Sequence, residues 1–172
     1  MPPPARKILR LGVVPYLNAL PLVAEDPRAR WIPHPPAQLV RQLKKGAIEA
    51  GLLPSLACAR DRSLAGIGAS CIASRGPVGS VRLFLRVPLR GVRVVRLDPD
   101  SVTSVALLKI LCERVWNIRS RFVRSASHPD AVLRIGDAGL RDMPGWRCPL
   151  RVRQWRAPSR TVRSMAAFCR PT

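Results

Sequence analysis

The fold of this chain is restricted most by a stretch with two turns that contain hydroxyl side chains. Between the turns lie two runs in which apolar and polar residues alternate. The turns lie at residues 76–80 and 100–104, and the runs at 81–86 and 92–97. Alternation of apolar and polar residues predicts half-buried β-strands. Strands that end in polar loops are typical of an α/β fold.

A helix is predicted directly after the second turn. Apolar residues follow there at helical spacing: Val105, Leu108, Leu111, Cys112 and Val115. A Ser or Thr can cap the start of such a helix, and the free N–H groups of its first turn can instead bind an anion. The local sequence favours a plain cap from Ser101, Thr103 or Ser104, with an anion site as the alternative.

The same order of strand, polar loop and helix occurs earlier in the chain. Residues 7–14 and 47–53 are predicted strands, and a helix is predicted between them over residues 36–46. Asn18 and Ser55 follow the two strands, where α/β folds often place ligand-binding groups. Asn18 either orients a carboxylate or hydroxyl group of a ligand or bonds to its own turn, and the local sequence favours the turn.

The net charge of +20 raises the question of a nucleic-acid or membrane partner. The basic residues are scattered, form no long run of like charge, and are not interleaved with aromatic side chains. Specific binding to nucleic acid is therefore disfavoured. Pro15, Asn18 and Pro21 interrupt the apolar N-terminal segment, so neither secretion nor membrane insertion is supported.

The cysteines indicate neither a metal site nor a disulfide framework. No CxxC pair and no metal-binding spacing with His34 or His128 is found among the five: Cys58, Cys71, Cys112, Cys148 and Cys169. We expect reduced thiols in a cytoplasmic protein.

Five blocks of sequence, taken in order, resemble one enzyme family. They are PYLNALPL at 15–22, LLPSLACAR at 52–60, CIASRGPVGSVRLF at 71–84, SVTSVALLKIL at 101–111 and VLRIGDAGL at 132–140. Together they resemble chorismate dehydratase, the first enzyme of the futalosine route to menaquinone. The related 1,4-dihydroxy-6-naphthoate synthases differ, because they carry a Pro-Cys-Pro-Asn loop and a catalytic histidine where this chain has Gly136.

The resemblance implies a fold like that of the type II periplasmic binding proteins, with two α/β lobes and a ligand cleft between them. It implies that the protein is a hydro-lyase converting chorismate to 3-(1-carboxyvinyloxy)benzoate, without a metal or organic cofactor. Aromatisation drives such a reaction, so the protein mainly has to hold two carboxylates and place polar groups at the ring.

The resemblance also implies roles for five residues. It favours ligand binding where the local sequence favours a turn, at Asn18, and a helix cap, at Thr103 and Ser104. Asn18 and Ser80 resemble the family's catalytic polar residues at the reacting ring. Ser55, Thr103 and Ser104 resemble residues that bind the substrate.

From the resemblance we expect an incomplete first lobe at 1–86, an incomplete second lobe at 87–142, and an aberrant tail at 143–172. The tail holds seven Arg and no Asp or Glu, and no apolar period persists in it. Members of the family also continue well beyond the block at 132–140, but with a sequence unlike that of this chain. A frameshift near codon 140 is our hypothesis, and a chain truncated in this way is expected to be poorly soluble with little dehydratase activity.

Two other classes of function remain open from the sequence. One is a non-catalytic module of the same fold that binds a small carboxylate without converting it. The other is a basic protein associated with nucleic acid, whose affinity would fall steeply with salt.

Overall fold

The computed structural model describes residues 7–23, 26–73, 78–150 and 165–171. The chain forms two units, Met1–Ile72 with Met165–Thr172, and Ala73–Ser164. Each unit is built around one five-stranded sheet. The predicted α/β class is thereby confirmed.

The sheet of the first unit has the strand order β2-β1-β3-β10-β4. Its strands are β1 (Leu9–Val13), β2 (Ala29–Pro33), β3 (Ala50–Pro54), β4 (Leu64–Ala73) and β10 (Met165–Pro171). β1 is parallel to both β2 and β3, whereas β10 is antiparallel to β3. The strands predicted over residues 7–14 and 47–53 are confirmed as β1 and β3.

Helix α1 (Pro36–Lys44) connects β2 to β3 and covers the first sheet. Leu39 and Leu43 on its inner face are buried with Val13, Ile48 and Leu52 in one apolar core. The predicted helix over residues 36–46 is confirmed, because proline opens it and glycine closes it as expected. A short helix α2 (Ser55–Arg60) follows β3 directly.

The sheet of the second unit has the strand order β7-β6-β8-β5-β9. Its strands are β5 (Val81–Leu85), β6 (Val94–Arg96), β7 (Arg121–Val123), β8 (Ala131–Ile135) and β9 (Arg147–Leu150). β6 is parallel to β7 and β8, and β5 is antiparallel to β8 and β9. Helix α3 (Thr103–Arg114) follows β6, and the short α4 (Gly136–Leu140) follows β8.

A second core lies between α3 and this sheet. Leu108 and Cys112 of α3 pack with Leu83, Val95 and Leu133 of the strands. The predicted apolar face of the helix is correct at Leu108, Leu111 and Cys112. It is wrong at Val115, which lies just past the last turn and is exposed.

The units divide at a different residue from the one expected. The boundary falls after Ile72, whereas the sequence suggested residue 86. β5 belongs to the second unit because its five residues pair with β8 in an unbroken register.

Parts of the segment 143–172 also form strands, since β9 joins the second sheet and β10 the first. The segment expected to be an aberrant tail thus contains two strands, although no apolar period in its sequence indicated them.

Among the residues that the structure describes, no helix is both long enough and apolar enough to cross a membrane.

Candidate functional site

Polar loops of the second unit gather at one edge of its sheet. β6 and β8 are parallel, so their carboxyl ends lie at the same edge. β5 runs the other way, and Val81 at its start pairs with Ile135 at the end of β8. The loop after β6, the start of α4 and the turn that contains Ser80 therefore lie at this edge.

Asp98, in the loop after β6, connects two of these segments. Its carboxylate accepts one hydrogen bond from the backbone N–H of Asp100, at 3.0 Å, and another from that of Ile135, at 3.1 Å. Burial raises the pKa of the Asp98 carboxyl group, because a less solvated site disfavours the charged form. The carboxylate fixes the loop that leads into α3 against the end of β8.

The start of α3 is not capped in the way that the sequence predicted. Val102 occupies the cap position with helical dihedral angles, and no side chain of the described residues donates or accepts a capping hydrogen bond there. Ser101, Thr103 and Ser104 are partly buried beside it. The plain hydroxyl cap favoured by the local sequence is therefore wrong, and the substrate-binding role that the resemblance implies for Thr103 and Ser104 stays a prediction.

Thr103 carries an unusual hydroxyl group. Its Oγ1 atom is buried and, among the described residues, has no hydrogen-bond partner. A buried hydroxyl without a partner costs free energy, so such a group calls for an explanation. It lies at the first residue of α3, where backbone N–H groups also point out of the helix.

Ser80 is partly buried at the start of β5, next to the end of β8. Helix α4 approaches it closely through Gly139, which is buried. A Cβ atom added at Gly139 would overlap the carbonyl oxygen of Ser80 and would lie 2.9 Å from its carbonyl carbon. Gly136, which starts α4, has a φ of +60°, a conformation that favours glycine.

Two of the predicted site residues lie in the first unit. Asn18 is exposed within a 3₁₀ helix, Leu17–Leu22, which comes after β1. Ser55 is the first residue of α2, directly after β3, and is partly buried. β1 and β3 are parallel neighbours, so both residues follow the same edge of the first sheet.

Each unit thus groups its own predicted residues. Asn18 and Ser55 belong to the first unit, and Ser80, Thr103 and Ser104 to the second. In both units these residues lie at the edge of the sheet where the parallel strands end. Ser80 reaches this edge differently, because it precedes β5, whose first residue pairs with the last residue of β8.

Three residues with clear structural roles at the second edge were not predicted from the sequence: Asp98, Arg82 and Gly139. Asp98 directly follows the residues of a predicted strand, which is the signal that had identified Asn18 and Ser55. Gly139 and Arg82 carry no comparable local signal.

Among the cysteines whose side chains the structure describes, Cys58 differs from the expectation; the side chains of Cys148 and Cys169 lie outside the described set. Cys58 in α2 is disulfide-bonded, so the prediction that all five thiols are reduced is wrong there. Cys71 and Cys112 are free. Cys112 lies in the core of the second unit, and its burial raises the pKa of the thiol to about 11, which makes it a poor nucleophile.

The two units have an α/β fold like that of periplasmic binding proteins, as a comparison with solved structures shows. The chain is similar to protein AF1704 from Archaeoglobus fulgidus, with 16% identity and a TM-score of 0.66, over 98% of this chain and 69% of that one. It is similar to the alkanesulfonate-binding protein SsuA from Xanthomonas axonopodis pv. citri bound to MOPS, with 18% identity and a TM-score of 0.58, over 95% and 65% of the two chains. It is also similar to the periplasmic aliphatic sulphonate binding protein SsuA from Escherichia coli, with 16% identity and a TM-score of 0.57, over 96% of this chain and 65% of that one. The chain spans about two thirds of the length of these three proteins.

Residues 9–142 match the family described as menaquinone biosynthesis. The chain belongs to that family. A comparison with curated protein sequences gives no significant match.

Proposed function

We propose that this protein is a chorismate dehydratase of the futalosine route to menaquinone. It removes water from chorismate to give 3-(1-carboxyvinyloxy)benzoate and acts, as the resemblance implies, in the cytoplasm. Membership of the menaquinone biosynthesis family supports a role in making menaquinone. The observation that carries the proposal is the buried Thr103 hydroxyl without a partner, at the start of a helix that no described side chain caps.

A substrate carboxylate would satisfy this arrangement. The first N–H groups of a helix and the positive end of its dipole favour a negative ligand. In this proposal the Thr103 hydroxyl donates to one carboxylate of chorismate, and Ser104, the next residue of α3, contributes a second hydroxyl. The energy lost by burying an unpaired hydroxyl in the free protein is then recovered when substrate binds.

The reaction itself needs little from acidic or basic side chains. A proton leaves the ring carbon that bears the enolpyruvyl ether, hydroxide leaves the adjacent carbon, and the ring becomes aromatic. Neither an amide nor a hydroxyl side chain is a strong base at neutral pH. A carboxylate of the substrate is therefore the proposed base, and the protein orients the ring.

Asn18 and Ser80 are the proposed polar contacts of the reacting ring, and Ser55 is a proposed substrate-binding neighbour. An amide can accept and donate hydrogen bonds at once, and a hydroxyl can donate to the departing oxygen. Both kinds of group can stabilise charge that develops in the transition state without changing their own protonation state.

The second candidate is a module that binds a small carboxylate without converting it. The likeness of the fold to two sulfonate-binding proteins favours this reading. A carboxylate at the start of α3 would bind in the same way in both cases, so binding alone does not separate the two functions.

Calorimetry with chorismate, followed by mass spectrometry of the mixture, tests the proposal. We expect saturable binding and a product lighter than chorismate by one water. Ser80→Ala is expected to bind chorismate but form product at least tenfold more slowly, because it removes a contact used in the transition state. The control is Glu113→Gln, which changes an exposed carboxylate on α3 and should leave both results unchanged. Binding without product would favour the module, and no binding would reject both.

A further inference from the structure

The backbone of Ser80 is enclosed on one side by helix α4. Gly139 lies so close to the Ser80 carbonyl group that a methyl group has no room between them. The same methyl group would lie 3.1 Å from the carbonyl oxygen of Arg134 in β8. All three neighbouring atoms belong to the backbone, which yields less readily than a side chain. Any residue larger than glycine must therefore displace either α4 or Ser80.

Arg82 holds the turn at Gly79, directly before Ser80. Its Nε atom donates a hydrogen bond of 3.1 Å to the carbonyl oxygen of Gly79. Its Nη1 atom pairs with Asp142 at 2.8 Å, and the Arg82 side chain is only 16% exposed, whereas that of Asp142 is 94% exposed. An ion pair with so exposed a partner contributes little. The bond to Gly79 is therefore the contact that acts on the turn.

We propose that Gly139 and Arg82 are positioning residues that fix the backbone, and thereby the hydroxyl group, of Ser80. The inference deepens the proposed function and rests on it for its effect on catalysis. Neither residue is required to touch the substrate. A displacement of about 1 Å of a group near a reacting centre can reduce a rate by roughly a hundredfold, so small shifts of Ser80 are measurable.

Two pairs of matched variants test the proposal in the full chain. Arg82→Lys keeps the charge but loses the Nε donor, whereas Asp142→Asn removes only the ion pair. Gly139→Ala adds the methyl group that has no room, whereas Gly91→Ala adds one at ordinary contact distance, 3.7 Å from Val87 Cγ2. We expect kcat for chorismate to fall about tenfold in Arg82→Lys and in Gly139→Ala, with KM within about twofold, and to stay unchanged in the two controls.

A double-mutant comparison separates positioning from general damage to the fold. In a Ser80→Ala background, Gly139→Ala and Arg82→Lys should lower kcat by less than about twofold further, because the group they position is gone. If each still lowers kcat about tenfold in that background, the effect does not pass through Ser80 and the proposal is wrong. Arg82→Lys keeps the test open should Gly139→Ala fail to fold.

A measurement without substrate distinguishes the failure of this inference from the failure of the proposed function. NMR chemical shifts of the Ser80 amide and Cβ atoms should change in Arg82→Lys and stay at wild-type values in Asp142→Asn. If the wild type does not convert chorismate, the proposed function is rejected and these shifts alone decide the positioning role. Unchanged shifts in Arg82→Lys would overturn it.

Discussion

The Asp98 carboxylate accepts a hydrogen bond of 3.1 Å from the backbone N–H of Ile135, which lies 37 residues further along the chain. One carboxylate oxygen holds the end of β8, and the other holds the N–H of Asp100 in the loop that leads to α3. The two segments that flank the proposed carboxylate site are therefore fixed to each other by one side chain.

Replacing Asp98 by alanine should destabilise the second unit. Asp98→Ala leaves the N–H groups of Asp100 and Ile135 without their acceptor, and partly buried donors without partners cost about 1–3 kcal/mol. Urea denaturation should show a loss of unfolding free energy of that size. The control Glu113→Gln, on the exposed side of α3, should leave the value unchanged. An Asp98→Ala protein within about 0.5 kcal/mol of wild type would contradict the structural role.

Replacing Thr103 by valine should separate binding from stability. Valine has nearly the same shape and removes a buried hydroxyl that has no partner among the described residues, so the melting temperature should stay the same or rise. The KM for chorismate should rise about tenfold if that hydroxyl donates to a substrate carboxylate. Thermal melting and steady-state kinetics check both halves. A lower melting temperature with an unchanged KM would show that the hydroxyl serves the fold.

Acid should weaken the first unit over a defined pH range. Hydrogen bonds from basic neighbours lower the pKa of three carboxyl groups to about 2: Asp26 beside Arg28, Glu49 beside Arg10, and Asp61 beside Lys44. The ordinary values are 3.8 for Asp and 4.5 for Glu. The unfolded chain therefore binds more protons in this range, and the stability these groups contribute is present above about pH 4.5 and lost as the pH falls towards about 2.

Urea midpoints measured across that range test the pH prediction. The urea concentration at the midpoint should decrease as the pH is lowered from about 4.5 towards 2. This decrease should be smaller in Glu49→Gln, because one of the three carboxyl groups is then absent. The contribution of Asp98 to stability has the opposite dependence on pH. Because its pKa is raised in the folded protein, stability decreases when the pH rises and this carboxyl group ionises. A midpoint independent of pH below about 4.5 would contradict the assignment of these carboxyl groups.

The strand β10 gives a prediction about the end of the chain. It pairs with β3 through Ala166, Ala167, Phe168 and Cys169, and the five residues of β3 are all buried. Ala167→Pro removes one backbone N–H from β10, which lies between β3 and β4, and should lower solubility, since an unpaired strand edge promotes aggregation. Ala167→Ser keeps the N–H group and should stay soluble. Equal solubility of both variants would show that β10 does not protect β3.

The hypothesis that residues 143–172 are read out of frame stays a prediction. Sequencing the coding DNA across codons 135–150 checks it directly. A single inserted or lost base that restores a family-like continuation would support the frameshift. Confirmation of the given frame would make β9 and β10 genuine parts of the protein and reject it.

Local spacing was enough to predict the elements whose signals lie within a few residues. Pro36 and Gly46 bound α1, and Leu108 and Cys112 form the inner face of α3, because helix ends and helix faces depend on neighbouring residues. The positions of Asn18 and Ser55 after β1 and β3 are likewise as predicted, while their roles stay predictions.

Contacts between distant residues could not be predicted in this way. Val102 occupies the cap position of α3, in a loop that Asp98 fixes to the end of β8, and adjacent residues alone did not indicate this arrangement. β10 joins a sheet formed by the first 73 residues, and no local periodicity in an arginine-rich segment indicates such a partner. The close approach of Gly139 to Ser80 is likewise visible only in three dimensions.

The proton NMR spectrum of purified protein incubated with chorismate tests the central claim most directly. Dehydration makes the ring aromatic, so the ring signals of chorismate should disappear as aromatic signals of a 3-substituted benzoate appear, while the enolpyruvyl methylene signals persist. Retention of that side chain distinguishes dehydration from its cleavage or rearrangement. Chorismate that stays unchanged beyond its own slow decay, although it binds the protein, would contradict the account and leave a binding module in its place.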